Sequence, residues 1–438
     1  MPLLIVVIGI VILFILIAVF KFNAFISFII ACLFVGIAEG MELESVIQSI
    51  ETGIGKTLGF LVLILGLGAM LGKLVADSGA AQRITSKLVS AFGVKYIQWA
   101  VVLAGFIVGI PMFYEVGFVI LIPLVFTVAA SVGLPLIYVG LPMLASLSVT
   151  HGYLPPHPAP TAIAIMFDAN IGKTLIYGII VAIPAIIVAG PLFSRTIKKI
   201  KATPLEEFYN PIVLKDHEMP SMGISIFTAL LPVILIGAST ILEYLLPKGF
   251  IFNDIISFIG NPVMAMLISV LVAIYTLGLA RGKKLAELMN SLTKSISSIT
   301  MILLIIAGAG ALKEILVDSG VSDFIADLLK DSAISPLILA WLIATVIRVF
   351  VGSATVAGLT AAGIVLPLVS NPSVNPELMV LAIGSGSLML SHVNDGGFWM
   401  FKEYFNLTVK ETLRTWTVME TTVGVMGLIG VLILNTFI

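Results

Sequence analysis

Two stretches of this chain repeat each other's layout at one fixed separation, each inside long apolar sequence. Asp77-Ser78-Gly79 recurs as Asp318-Ser319-Gly320 and His151 recurs as His392, both 241 residues on, while Trp99 and Trp341 stand 242 apart. The fold must therefore accommodate two copies of one hydrophobic unit. Each copy carries a polar, Gly/Pro-interrupted segment at the same place.

Composition says what surrounds those units. Of 438 residues, 59% are hydrophobic and 11% charged, whereas a soluble chain carries roughly 25% charged residues. Apolar runs near the ~20 residues needed to cross a bilayer recur throughout. The chain reads as an all-α, polytopic membrane protein. No basic run suggests nucleic-acid binding, and the single cysteine, Cys32, excludes disulfides and thiolate metal sites. The first run, residues 3–20, lacks a basic leader and a small-residue cleavage site, so it reads as a retained span.

Apolar windows predict spans near 3–20, 23–39, 57–76, 134–150 continuing after a break to 167, and 174–194. The second half predicts 223–246, 259–280, 296–316, 377–391 continuing to 401, and 412–437. Each half also holds a longer apolar stretch, about 97–131 and 335–371, with Gly and polar residues at its middle. Gly109-Ile-Pro-Met-Phe-Tyr-Glu-Val-Gly117 and Gly352-Ser-Ala-Thr-Val-Ala-Gly358 are the two middles. Half-length helices meeting at such a tip form a re-entrant hairpin, allowed at membrane depth only where protein or an aqueous cavity surrounds it. One ordinary tilted span is the simpler alternative.

Charge tests that layout. With the N-terminus outside and five crossings plus one hairpin per half, 16 of the 23 basic residues fall inside and 4 outside, as the positive-inside rule requires. Glu42, Glu44 and Glu51 then fall in one outer loop, and Asp318, Asp323, Asp327 and Asp331 in another. Five crossings is an odd number, so the second copy is expected to be inverted. The expected organisation is a first repeat over 1–194, a cytoplasmic linker over 195–222 and a second repeat over 223–438, with both termini on the periplasmic side. No phosphate-binding GxxxxGK[ST] loop is present, which argues against an ATP-driven pump. Duplicated units with paired interruptions point to a secondary transporter whose site lies between the repeats.

Ionisable groups at membrane depth are functional candidates. They are Glu115, His151, His157, Arg348, His392 and Asp395, with Glu420 an outlier in the last span. No HExxH or nucleophile-elbow motif accompanies them, so no enzyme is expected. A metal site lacks an acidic partner at ligand spacing in the first break. That break, Ser148-Val-Thr-His-Gly-Tyr-Leu-Pro-Pro-His-Pro-Ala-Pro-Thr161, cannot stay helical through four prolines. It is expected to restart near Pro160 or Thr161, offering free N–H groups and a positive dipole end to an anion. The second, Ser391-His-Val-Asn-Asp-Gly-Gly397, does so with glycines, Asn394 and Asp395 being able to cap a helix from Gly396. His151 and His392 could also be ordinary packing residues.

Arg348 needs an acidic partner or a substrate carboxylate, Asp395 and Glu115 being the candidates. Ser353 and Thr355 supply hydroxyls at the second tip, although small residues there also suit close helix packing. Thr161 and Asn394 complete the expected polar set. Glu115, Asp395 and His157, or the break histidines, are the expected proton carriers. The mid-membrane interruptions alone leave a passive anion channel open.

Several of these segments resemble the bacterial gluconate permease family. They are Phe113-Tyr-Glu-Val-Gly-Phe118, His151-Gly-Tyr-Leu-Pro-Pro-His-Pro158, Pro160-Thr-Ala-Ile-Ala164, Gly352-Ser-Ala-Thr-Val-Ala357 and Ser391-His-Val-Asn-Asp395, with Phe398-Trp399 and Phe401-Lys-Glu-Tyr-Phe-Asn-Leu-Thr408. The resemblance runs nearly end to end. It implies proton-coupled uptake of gluconate or a related sugar acid across the inner membrane, with the proton gradient as driving force and no cofactor. It also implies an inverted-repeat, paired-hairpin architecture, often dimeric. Relatives in that family carry D-serine and other small hydroxy-acids, which these motifs do not separate.

Overall fold

A computed structural model describes residues 2–203, 214–247, 251–321, 324, 334–393 and 395–438. Asn394, Asp323, Asp327, Asp331, Lys248 and Lys330 lie outside the described residues, as does the side chain of Glu115. Among the described residues every regular element is helical. Five helices are each long and apolar enough to cross a membrane, and two bent pairs bring that number to 7 if each pair is one span. Their outward faces carry Ile180, Ile183, Ile234, Ile241 and Leu271, all exposed. In water such a surface would aggregate, whereas lipid tails match it.

The two halves share an order of elements. Pro2–Phe14 and Ala24–Ala38 open the first half and Met222–Leu245 and Pro262–Ala273 the second. A long helix follows in each, Leu43–Asp77 and Leu285–Asp318, of 35 and 34 residues. A hairpin comes next. Its arms are Ile97–Gly109 and Tyr114–Ser131 in the first half, Pro336–Val351 and Ala354–Val369 in the second. Each arm of the second hairpin has 16 residues, roughly 24 Å at 1.5 Å per residue, short of a ~30 Å hydrocarbon core. These arms dip into the membrane rather than cross it. An interrupted helix and a closing span complete each half.

The long helices depart from the expected spans at 57–76 and 296–316. Each begins more than ten residues earlier, so Glu44 and Glu51 are helical rather than in a loop. Their first turns are mixed in polarity, which an apolar window rejects. The polar residues find their partners on the other long helix. Ser49 donates to Asp318 at 2.5 Å, Ser291 to Asp77 at 2.8 Å, and Lys56 pairs with Glu314 at 2.5 Å. A bond from near the start of each helix to the end of the other requires the pair to run antiparallel.

A further helix, Ala80–Phe92, meets the first hairpin arm at 112°. Its buried Arg83 holds the segment that leads into Met222–Leu245, donating to the Pro220 carbonyl at 2.8 Å and to Asp216 at 2.6 Å.

Candidate functional site

Both interrupted helices are present, and they are interrupted differently. The first stops at Tyr153 and restarts at Pro158, leaving residues 154–157 nonhelical. The restart precedes the expected Pro160, because proline without an N–H is at home in a first turn. His151 accordingly lies in the last turn of the preceding helix, not in the break. The second stops at Gly386 and restarts at Gly396, so His392 does lie in nonhelical chain. The two histidines are equivalent by count and not by conformation.

The interrupted helices cross at Gly152 and Gly384. A Cβ on Gly384 would lie 2.2 Å from the Gly152 carbonyl oxygen, and only glycine permits that approach. Beside the crossing, Pro336–Val351 ends at Gly352, whose φ of +78° lets the chain reverse within two residues. Ser353 then caps Ala354–Val369, accepting from Val356 N at 3.3 Å. Asp395 caps Gly396–Tyr404, accepting from Gly397 N at 3.0 Å. Two positive helix ends thus face one space.

That space is a cavity of about 340 Å³, at the lower end of the range for small-molecule sites. Of the candidates from sequence, His151, Arg348, Ser353, Thr355 and Asp395 line it. Arg348, 3% exposed, donates to Asp395 at 2.5 Å and also to the Gly352 carbonyl. Asp395 further accepts from Ser391, which in turn accepts from the Trp416 indole at 2.7 Å. This chain of bonds ties hairpin tip, break and last span together.

Other candidates lie elsewhere. His157 is buried behind the first hairpin, donating to the Gly109 carbonyl at 2.8 Å. Thr161 is fully buried and its Oγ1 has no hydrogen-bond partner among the described residues. His392 is half-buried outside the cavity lining. Glu115 is the second residue of the second arm of the first hairpin, after Tyr114, which does reach the cavity. The N-terminus at Pro158, expected to meet an anion, is not part of the lining.

Ser148, Tyr114, Met400, Trp416 and Glu420 also line the cavity. Only Glu420 carried a usable sequence signal, as a carboxylate inside an apolar last span. It is 2% exposed, and Ser148 donates to its Oε1. The Tyr114 ring stands 6.0 Å from that of Trp416 and 6.1 Å from that of His151. The cavity offers aromatic walls, hydroxyls, one guanidinium and two carboxyls. Among the described residues no cluster of three His, Cys, Asp or Glu could hold a metal ion.

A polar cavity enclosed by a re-entrant tip and interrupted helices, within a shell of apolar spans, belongs to a multi-pass membrane transporter. The similarity of the chain to known proteins is in accord. It belongs to the GntP family permeases, whose sequence profile matches residues 1–437. It is 54% identical over 438 residues, the whole of both chains, to the high-affinity gluconate transporter of Escherichia coli (strain K12). Identity is 52% over 435 residues, 99% of each chain, to the Gnt-II system L-idonate transporter of the same strain. It is 51% over 445 residues, again 99% of each, to the gluconate permease of Bacillus subtilis (strain 168). The chain is therefore a transporter and not an enzyme.

The fold is shared more widely. The Alcanivorax borkumensis YdaH transporter matches with a TM-score of 0.62 at 16% identity, covering 94% of this chain and 97% of that one. Neisseria gonorrhoeae MtrF matches with a TM-score of 0.63 at 16% identity, covering 94% and 93%. At that identity the likeness concerns architecture alone.

Proposed function

We propose that this protein takes up gluconate or a closely related sugar acid by proton symport. The observation that carries the reading is the cavity itself, where two helix N-termini and Arg348 converge beside hydroxyls, in a chain half identical to gluconate transporters. The helix ends and Arg348 meet the carboxylate. Ser353, Thr355 and His151 meet the hydroxyls, and Tyr114, Trp416 and Met400 pack against the carbon chain. Binding that shifts the cavity's exposure from one side to the other completes a transport cycle. A proton carried with the substrate lets the gradient drive accumulation, the two ligands favouring each other's binding equally.

The antiparallel long helices support an inverted relation between the halves, with the cavity between them. The excess of basic residues in alternate loops supports insertion in the cytoplasmic membrane with both termini outside. The 52% identity to an L-idonate transporter favours a second reading, the same mechanism with a stereoisomeric acid. Labelled gluconate uptake in a host without its own permeases tests the first. Abolition by a protonophore is the expected result, and uptake that persists and depends on sodium overturns it. Competition by a panel of sugar acids and D-serine ranks the substrates.

A further inference from the structure

One buried ionisable group in the cavity has no place in the scheme above. Glu420 belongs to the last span, Val409–Leu434, yet it lines the same space as Arg348 and Asp395. It is 2% exposed, and the hydroxyl of Ser148, from the first interrupted helix, donates to it. Titratable and charged groups of four other elements surround that space. Arg348 stands on the second hairpin, Asp395 at the second break, His151 and Tyr153 on the first interrupted helix and Tyr114 on the first hairpin. Tyr153 is already committed, its hydroxyl donating to the Val423 carbonyl at 2.5 Å.

The charges give these positions a consequence. Arg348 and Asp395 form an ion pair and cancel. For a neutral imidazole at His151, Glu420 is, among the described lining residues, the carboxyl left to set the sign of the cavity. Ionised, it makes the cavity negative, and an incoming carboxylate meets a like charge in a poorly screened space. Protonated, it leaves the cavity neutral and presents an O–H that can donate to the anion.

We propose that Glu420 is the proton site of transport, and that its neutral form is the one that admits the sugar-acid anion. The proposal rests on the symport reading and adds the residue and a stoichiometry, one proton for each monovalent acid. The last span thereby reports on the cavity contributed by both interrupted helices. Ser148 couples them, since its hydroxyl reaches Glu420 from the opposite half of the chain.

The test uses purified full-length protein, in detergent and in proteoliposomes, with gluconate as the probe. The E420Q variant carries an amide in place of the neutral acid. It is expected to bind gluconate with little dependence on pH, to exchange labelled for unlabelled gluconate, and to lose accumulation driven by an inward proton gradient. Wild type in weak buffer takes up about one proton per gluconate bound, and E420Q takes up none. Accumulation by E420Q at the wild-type level overturns the proposal. So does loss of both binding and exchange in folded E420Q, because the neutral mimic must bind.

A measurement on the native protein covers a variant that does not fold. Dicyclohexylcarbodiimide, which attacks protonated carboxyls in apolar surroundings, is expected to modify Glu420, with gluconate protecting it. Modification confined to other carboxyls counts against the assignment. Failure of the symport reading looks different. There the wild type neither takes up a proton on binding nor loses accumulation to a protonophore, whatever E420Q does. H151Q that retains proton uptake on binding supports Glu420, and H151Q that abolishes it moves the proton to the histidine.

Discussion

Ser49 donates a 2.5 Å hydrogen bond to Asp318, and at the opposite end of the same helix pair Ser291 donates to Asp77 at 2.8 Å. The two serines are 242 residues apart and the two aspartates 241. One kind of contact is thus made twice, with donor and acceptor exchanged between the two long helices. Two helices joined start to end at both ends in this way run antiparallel. The arrangement gives the polar first turns of both helices their partners.

Those two bonds differ in setting, and their removal is expected to differ accordingly. Ser49 is 5% exposed, whereas the Ser291–Asp77 pair is open to solvent. Ser49→Ala is expected to cost about 1–2 kcal/mol, as for a sheltered bond to a charged acceptor. Ser291→Ala is expected to cost about 0.5 kcal/mol or less, because exposed electrostatic contacts are screened. Thermal unfolding of the two variants in one detergent provides the comparison. Equal losses would count against the long-helix pair as a buried structural axis.

Arg348 and Asp395 form the ion pair on which the cavity is built. Removing one charge leaves the other buried without a partner, which costs roughly 3–5 kcal/mol for a fully buried pair. Asp395 is 17% exposed, so D395N is expected somewhat below that range, at about 2–3 kcal/mol. Asparagine keeps the helix cap, so the loss is that of the charge. The double variant R348Q/D395N is expected to recover much of this stability while uptake stays abolished. Full stability of D395N alone would mean that the pair is not holding the break.

Ser353 and Thr355 are offered to the substrate from the second hairpin tip. A single hydroxyl contributes about 0.5–1.5 kcal/mol, a factor of about 2–10 in affinity. T355A is expected to raise KM by such a factor with kcat little changed. S353A is expected to do the same and also to lower stability by about 1 kcal/mol, because Ser353 caps Ala354–Val369. Initial uptake rates over a range of gluconate concentrations separate the two effects. A fall in kcat with KM unaffected in both variants would remove them from the binding site.

At the crossing of the interrupted helices there is no room for a side chain. G384A places a methyl group 2.2 Å from the Gly152 carbonyl oxygen, a backbone atom that moves only with its helix. Overpacking of this sort costs about 1–3 kcal/mol. G384A is expected to unfold at lower temperature and to lose most uptake. G396A adds a Cβ that meets nothing within 4 Å and is the control, expected to retain stability. A stable, active G384A would show that the two helices do not cross tightly in the working protein.

Much of the architecture was legible from the chain itself. Hairpins, interruptions and spans stand out because each requires a run of apolar residues of set length, broken by Gly, Pro or polar groups that cannot continue a helix in lipid. The extra turns of Leu43–Asp77 and Leu285–Asp318 were not legible. Their polar residues are sheltered only by the partner helix, some 240 positions away. Equal spacing likewise suggested equal roles for His151 and His392. One helix, however, runs on through His151, while the other ends before His392.

The sequence alone determined that this chain lives in a membrane and that each half carries a hairpin and an interrupted helix. Those properties follow from local rules, namely the length of apolar runs and the helix-breaking chemistry of proline and glycine. Only the tertiary structure decided which interruption faces the cavity, that Arg348 is neutralised by Asp395, and that Glu420 of the last span meets Ser148 of the first half. Such pairings depend on how helices far apart in the chain cross, and no local pattern records a crossing.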